Sequence, residues 1–462
     1  MLSYIKLKNF KSFSNITLDL RGNKGIPKKM AFIYGENGSG KSNLMFSLLF
    51  LSKTLNTLMN QEQMKKVNDS KFAQMMSELK DSTAKNELLE HLLSQRFFTL
   101  EDLINEYITL DSKGMLEIEI GFYINDKEGS YSLAFEQDKV VHEELRYQVK
   151  ERVGIMYLLK DDYIKMSPSV FKDPDYTREL RENIEKYWGK HTFMSILFNE
   201  RATKNRKFVE SRLNKNLFEV LNWLGRYSVL CKNSYAETAK VAIQFDFLRS
   251  LKDGSIKKKD DRELFAFEKV LNEFFTQLYS DIKKVYYKLT PKDDGFDYEL
   301  YLKKLINGKI LDVPFSLEST GTQKILDVFP FMFSAISGST VLVDEVDSGI
   351  HDLLMCNIIE LVSEALEESV NGQFIVTTHN TLLMKQLPND NVYILRADAQ
   401  GNKDIVTIDE YKFRTQKTNS KQSKYLNGDY SGIPFIGYLD LSEMVEDVIE
   451  YIQDNEHDVK ER

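Results

Sequence analysis

Residues Gly35-Glu36-Asn37-Gly38-Ser39-Gly40-Lys41-Ser42 fit the pattern G-x-x-x-x-G-K-[ST]. Glycines at those positions let a loop wrap so that its N–H groups point inward at phosphate oxygens. A helix starting near Lys41 would direct its positive dipole end at the same point. Lys41 would reach the β- and γ-phosphates, and the Ser42 hydroxyl would ligate Mg²⁺. The expected nucleotide contacts are Gly35, Asn37, Gly38, Ser39, Gly40, Lys41, Ser42 and Asn43.

Hydrolysis needs a second set of groups. TVLVDEVD (340–347) reads as a buried apolar strand ending in acids. Asp344 would hold the metal with Ser42, and Glu345 would polarise the attacking water. His379 follows the next apolar run, QFIVTTH, at a strand end where ligands of α/β sheets collect. There it would contact the γ-phosphate or the water. Upstream, SLESTGTQKILDV (316–328) opens a helix. Ser319 is a natural N-cap, and Gly321 leaves backbone exposed, so this is a second anion-binding helix end.

These groups need a scaffold. MAFIYG (30–35) is a short buried strand, and the segment from Lys41 to about Leu58 is apolar at helical spacing. The opening LSYIKLKNFKSFSNITLDL alternates like two strands joined near Asn9–Asn15. Residues 60–110 read as surface helices. MLEIEIGFYI, SYSLAFEQ and KVVHEELRYQV (115–149) read as a strand meander. Residues 150–280 have mostly helical periodicity and are expected to form an inserted helical lobe, with the charged run SIKKKDDR (255–262) as a helix–helix tip. Short strands follow to 317. From 319 to 408 helix and strand alternate, which argues for a parallel sheet covered by helices. The expected division is 1–149, 150–280, 281–410 and a tail from 411 to 462 that ends in a helix near 441–454.

The net charge of −8 argues against non-specific coating of nucleic acid but leaves room for a local basic groove. Two distant cysteines, Cys231 and Cys356, suggest neither a disulfide framework nor a zinc site. No apolar run is long enough for a membrane helix, and a cytoplasmic location is expected.

The order of loop, capped helix, acidic strand and strand-end histidine resembles the ABC-type ATPases, and more narrowly their RecF and SMC-like branch. There ESTGTQ stands in for the transporter-type signature, and LKNFKSF resembles the opening strand and turn. The resemblance extends to the compact ATPases of bacterial anti-phage and abortive-infection systems: the overcoming-lysogenization-defect type, RloA-like proteins and AriA of the PARIS system. It implies an α/β ATPase head, a parallel sheet with helices plus an antiparallel meander, carrying an inserted helical lobe. It implies ATP and Mg²⁺, and a homodimer or higher even-numbered oligomer in which Ser319 and Gly321 of one chain act on ATP held by another. In the defence setting the partner would be an effector nuclease or toxin, with a phage protein as trigger. The alternative is a RecF-like repair clamp on DNA. The glutamine that couples metal to inserted arm in such heads is not identifiable; Gln137 and Gln148 are the candidates. The late stretch KYLNGDYSGIPFIG (424–437) resembles the tail of the defence ATPases and is expected to be an ordered loop packed on the head.

Overall fold

The computed structural model describes residues 1–68, 98–232, 237–240, 246–257, 261–411, 420–433 and 440–454. Met1–Gly432 forms one compact unit, and Ile433–Arg462 forms a second. The second unit contributes the helix Leu441–Asp454, whose bounds match the sequence expectation.

A seven-stranded antiparallel sheet is built from β1 (Leu2–Phe10), β2 (Phe13–Asp19), β4 (Leu116–Ile124), β5 (Lys127–Glu136), β6 (Lys139–Gln148), β7 (Val153–Lys160) and β8 (Tyr163–Met166). Its order is β2-β1-β4-β5-β6-β7-β8. Ile5 and Leu7 point inward, while Lys6 and Lys8 face out opposite Glu119 and Glu117 of β4. Those outer pairs close at 3.2 and 2.7 Å. A one-residue slip would expose the apolar set and separate both charge pairs, so the register is strongly specified.

The second sheet runs β10 (Glu237–Lys240), β9 (Ser228–Lys232), β15 (Thr340–Val343), β16 (Gln373–Thr377), β3 (Met30–Tyr34), β17 (Val392–Ala397) and β18 (Lys403–Thr407). The five inner strands pair in parallel, with antiparallel edges at β10 and β18. Every residue of β3, β15 and β16 is buried, the unbroken apolar pattern of strands covered on both faces. A third sheet joins β11 (Asp253–Lys257), β12 (Ile282–Lys292), β13 (Gly295–Ile306) and β14 (Lys309–Pro314).

The parallel sheet and the meander agree with the expected α/β architecture. The inserted lobe needs correction. Residues 153–166 are β7 and β8, which extend the meander sheet, and β9 is an inner strand of the parallel sheet. Of the helices between them, Phe193–Thr203 packs on the long helix Lys41–Asn68 that follows the phosphate loop. Ser195 Oγ accepts from Leu58 N at 3.1 Å, and the Tyr227 hydroxyl donates to Leu48 O at 2.8 Å. Apolar faces bind these helices to the head. Their periodicity is helical, but it says nothing about where the apolar stripe docks. The run 255–262 is likewise no helix–helix tip: it leads from β11 into the helix Asp261–Leu278, and Lys258, Lys259 and Asp260 lie outside the described residues. The helices expected over 60–110 are described only in part, as the end of the Lys41–Asn68 helix and the helix Leu100–Tyr107. The boundary at 149 cuts a hairpin, because β6 pairs with β7. The tail boundary at 411 precedes the observed one, since residues up to Gly432 belong to the first unit.

Glu143 locks the meander sheet to one of these helices. It is fully buried and accepts from Phe193 N at 2.5 Å and Met194 N at 2.9 Å, at the start of the helix Phe193–Thr203. The Tyr131 and Tyr157 hydroxyls donate to it at 2.9 and 3.0 Å. Burial pushes its carboxyl up, and those four donors oppose the shift. Removing the carboxylate strands four buried donors at once. Glu143→Ala is expected to lower unfolding stability by about 2–5 kcal/mol in urea melts. A loss under ~1 kcal/mol would show that water replaces the carboxylate at no great cost.

Candidate nucleotide site

Strand order brings the motifs together. β16 lies between β15 and β3, so the carboxyl ends of three neighbouring strands carry Asp344–Glu345, Thr377–His379 and the loop after Tyr34. Residues at those ends face one crevice, the place where open α/β sheets bind ligands.

The loop runs from Gly35 to Gly40, and the Lys41–Asn68 helix begins directly after it. Gly40 has φ of +110°, and a Cβ there would lie 2.8 Å from the Phe13 ring, so the position admits only glycine. Lys41 is buried, and its Nζ donates to Gly35 O at 2.8 Å and Glu36 O at 2.9 Å. Burial lowers its pKa, while the carboxylates of Asp344, Glu345 and Asp347 act against the shift.

Thr377 ties the acidic pair in place. Its hydroxyl donates to Asp344 Oδ1 at 2.6 Å and accepts from Glu345 N at 2.7 Å. The Ser42 hydroxyl lies near enough to Asp344 to favour its charged form. Burial raises the Asp344 pKa, and the Thr377 and Ser42 hydroxyls pull it back. Glu345 adopts φ of +48°, a left-handed backbone that costs a non-glycine residue about 1 kcal/mol or more. The Thr377 bond and the Val346 N–H on Thr377 O (3.1 Å) hold it there.

Asn37, Glu345, Asp347, Ser348 and His379 line an open cavity of about 310 Å³. The His379 backbone N–H donates to Asp347 Oδ2 at 3.1 Å. Burial lowers the His379 pKa, and the Lys41 charge lowers it further, so the neutral imidazole is favoured. Ser39 Oγ and Asp347 Oδ1 are buried without a hydrogen-bond partner, polar atoms a phosphate or a metal-bound water would satisfy. The donor set fits a Mg²⁺–phosphate group: one carboxylate and one hydroxyl side by side, with a lysine and a run of loop N–H groups beside them.

Ser319 and Gly321 do not line this cavity. Ser319 caps the helix Thr320–Ile336 by accepting from Thr322 N at 3.1 Å. A Cβ on Gly321 would sit 2.4 Å from Gly349 O, so this helix start abuts the turn that follows Asp347 and Ser348. The third sheet holds it from behind: Lys304 Nζ lies 2.8 Å from both oxygens of Glu318, and Lys252 Nζ donates to Gln323 Oε1 at 3.2 Å.

Asn43 turns away from the expected phosphate position; its Nδ2 donates to Ser12 Oγ at 2.7 Å. That hydroxyl also accepts from Lys403 Nζ at 2.8 Å, and Lys403 reaches Gly38 O at 3.0 Å. Lys403 comes from the edge strand β18 and no motif marks it; Thr377 is equally silent in the sequence beyond its place before His379. Gln137 sits in the β5–β6 turn and Gln148 bonds to Lys150 O, and neither lines the cavity.

A family profile described as "AAA domain, putative AbiEii toxin, Type IV TA system" matches residues 30–385. The chain belongs to this AAA-domain family. As such it is an ATP hydrolase. This AAA-domain protein is similar to an "ATP/GTP phosphatase" of Helicobacter pylori (strain ATCC 700392 / 26695), with 21% identity over 82% of this chain and 85% of that one. It is also similar to the chromosome partition protein Smc of Methanocaldococcus jannaschii (strain ATCC 43067 / DSM 2661 / JAL-1 / JCM 10045 / NBRC 100440), with 52% identity over 54 residues, 12% of this chain and 4% of that one. Among solved structures, an SMC head bound to the C-winged helix domain of ScpA aligns with TM-score 0.44 and 16% identity over 88% of this chain and 97% of that one. The SMC head domain from Thermotoga maritima aligns with TM-score 0.37 and 16% identity over 88% of this chain and 98% of that one. No described helix of the AAA-domain protein is long and apolar enough to cross a membrane.

Proposed function

We propose that the protein is a Mg²⁺-dependent ATPase whose copies pair on ATP, and that the pairing switches a partner protein. The observation that carries this reading is the Thr377 bridge, which holds Asp344 beside Ser42 and Glu345 at the cavity wall. Mg²⁺ held by Ser42 and Asp344 would neutralise charge on the β- and γ-phosphates. Lys41 would exchange its two carbonyl bonds for phosphate oxygens. Glu345 would accept the proton of the attacking water, and neutral His379 would orient that water or bond to the γ-phosphate.

Within one chain the Ser319 helix start lies outside the cavity, behind the 347–350 turn. A second copy facing this crevice would bring its own Ser319 and Gly321 to the γ-phosphate, with N–H groups and dipole directed at it. Closure would therefore depend on ATP and reverse after hydrolysis. The partner is proposed to be the effector of an anti-phage system, a nuclease or toxin, with a phage protein as trigger; the family's description as an abortive-infection toxin of a type IV system supports that setting.

Ser319→Arg and Lys41→Ala should each abolish turnover alone. Mixed, with subunit exchange verified, they rebuild one complete site per pair, and partial ATPase activity should return if one site fires alone. Obligate two-site coupling would also leave the mixture silent, so a crosslink separates the explanations. Cysteines placed by Ser319→Cys and Asn37→Cys should join only between chains and only with nucleotide. Both native cysteines are buried and do not compete. An efficient crosslink within one chain would overturn the shared site.

A further inference from the structure

The crest of the phosphate loop is held from outside by a residue that lies beyond the matched AAA domain, which ends at residue 385. Lys403 opens the edge strand β18 and pairs with Ala397 of β17. Its Nζ donates to Gly38 O at 3.0 Å and to Ser12 Oγ at 2.8 Å, and it lies 5.8 Å from the centre of the Phe13 ring. Ser12 sits in the turn between β1 and β2, and Phe13 begins β2. Ser12 Oγ also accepts at 2.7 Å from Asn43 Nδ2, in the first turn of the Lys41–Asn68 helix. Lys403 thus ties the loop crest to the β1–β2 turn, and the turn to the helix. Lys41 holds a different part of the loop, the carbonyls of Gly35 and Glu36. Gly38 itself has φ of +81°, and nothing lies within 4 Å of where a Cβ would stand. Packing therefore does not fix which way the Gly38–Ser39 peptide faces, and glycine permits more than one way.

We infer that Lys403 is a positioning residue for nucleotide binding: by holding Gly38 O on the outer side of the loop, it keeps the N–H of Ser39 turned inward, toward phosphate. The two groups share one trans peptide plane and point in opposite directions, so fixing the carbonyl fixes the N–H. The Ser39 N–H meets Glu36 O at 3.2 Å, the same carbonyl that accepts from Lys41 Nζ. Phosphate oxygens entering the loop would draw both donors from that carbonyl. The ammonium on Gly38 O also polarises the peptide and strengthens its N–H as a donor. The loop motif is complete in the sequence by Ser42, yet the orientation of its crest depends on a side chain 365 positions away.

This inference rests on the reading that the loop holds ATP, so the experiment includes Lys41→Ala. Lys403→Met keeps the aliphatic stem and removes the donor. Asp404→Asn weakens the pair that Asp404 makes with Arg396, two bonds of 2.7 Å on the same strand and away from the loop. With the whole chain, KM for ATP and the Kd values of a fluorescent ATP analogue and of ADP should rise roughly three- to tenfold in Lys403→Met, the size expected for one charge-assisted hydrogen bond at a half-exposed site. The kcat should change less than twofold, because the N–H serves ground state and transition state alike. The factor should be the same for both nucleotides, since loop N–H groups cradle the α- and β-phosphates that ATP and ADP share. Asp404→Asn should keep the wild-type KM. Unchanged KM and Kd in Lys403→Met, with Lys41→Ala impaired, would overturn the positioning role and leave the site intact. A loss confined to the ATP analogue would put Lys403 on the γ-phosphate itself and also overturn it. An equal rise in Asp404→Asn would assign the effect to loosening of β18, with the same consequence. Wild-type binding by Lys41→Ala would overturn the nucleotide site itself.

Discussion

Glu345→Gln should bind ATP as tightly as the native protein and hydrolyse it about 10²–10⁴-fold more slowly. The amide is nearly isosteric with the carboxylate, and the main determinants of position at residue 345 are backbone ones. Thr377 bonds to the Glu345 N–H, and the unusual φ is held by that bond and by Val346 on Thr377 O. The substitution therefore removes a proton acceptor and leaves the cavity wall in place. The ATP-bound state should accumulate, and pairs of chains should persist in gel filtration with ATP and Mg²⁺. Single-turnover kinetics separate the chemical step from binding. Wild-type turnover in the Gln variant would mean that another group takes the proton, with Asp347, on the same cavity wall, the next to examine.

Lys41→Ala should lose at least about 10²-fold in kcat/KM for ATP. Lys41 is the buried cation of the loop, and its charge is felt by Asp344, Glu345, Asp347 and His379. Lys403 also approaches the loop, but it is tied to Ser12 and Gly38 on the outer side. It is not expected to substitute. Loss of Lys41 also removes the counter-charge of the acidic cluster, so the His379 imidazole should become easier to protonate. Equilibrium binding with a non-hydrolysable analogue measures the ground-state part of the loss. In cells carrying the chain with its neighbouring genes, the same variant should abolish protection against phage if the ATPase gates the effector. Full protection with a dead ATPase would detach the defence role from hydrolysis.

Much of this site is legible in the chain because its parts are local. A phosphate loop needs glycines, a lysine and a hydroxyl within eight consecutive positions, so Gly35 to Ser42 declare themselves. Asp344 and Glu345 end an apolar strand, and His379 ends the next, so type and context suffice there too. The parallel sheet follows from buried runs alternating with helical periods, and the meander from period-two alternation between turns.

Tertiary structure decided what depends on residues far apart. Periodicity shows that a helix has an apolar face but not which surface the face meets. Residues 150–280 therefore read as a lobe, while their strands join all three sheets and the helix Phe193–Thr203 braces the one that follows Lys41. Strand order is equally non-local: only the placing of β16 between β3 and β15 makes Thr377 the bridge between Asp344 and Glu345. The turn of Asn43 toward Ser12 and the approach of Lys403 join segments up to hundreds of positions apart. An isolated threonine or lysine carries no pattern that sets it apart from a surface residue, because its role comes from hydrogen bonds that exist only once the strands are in order.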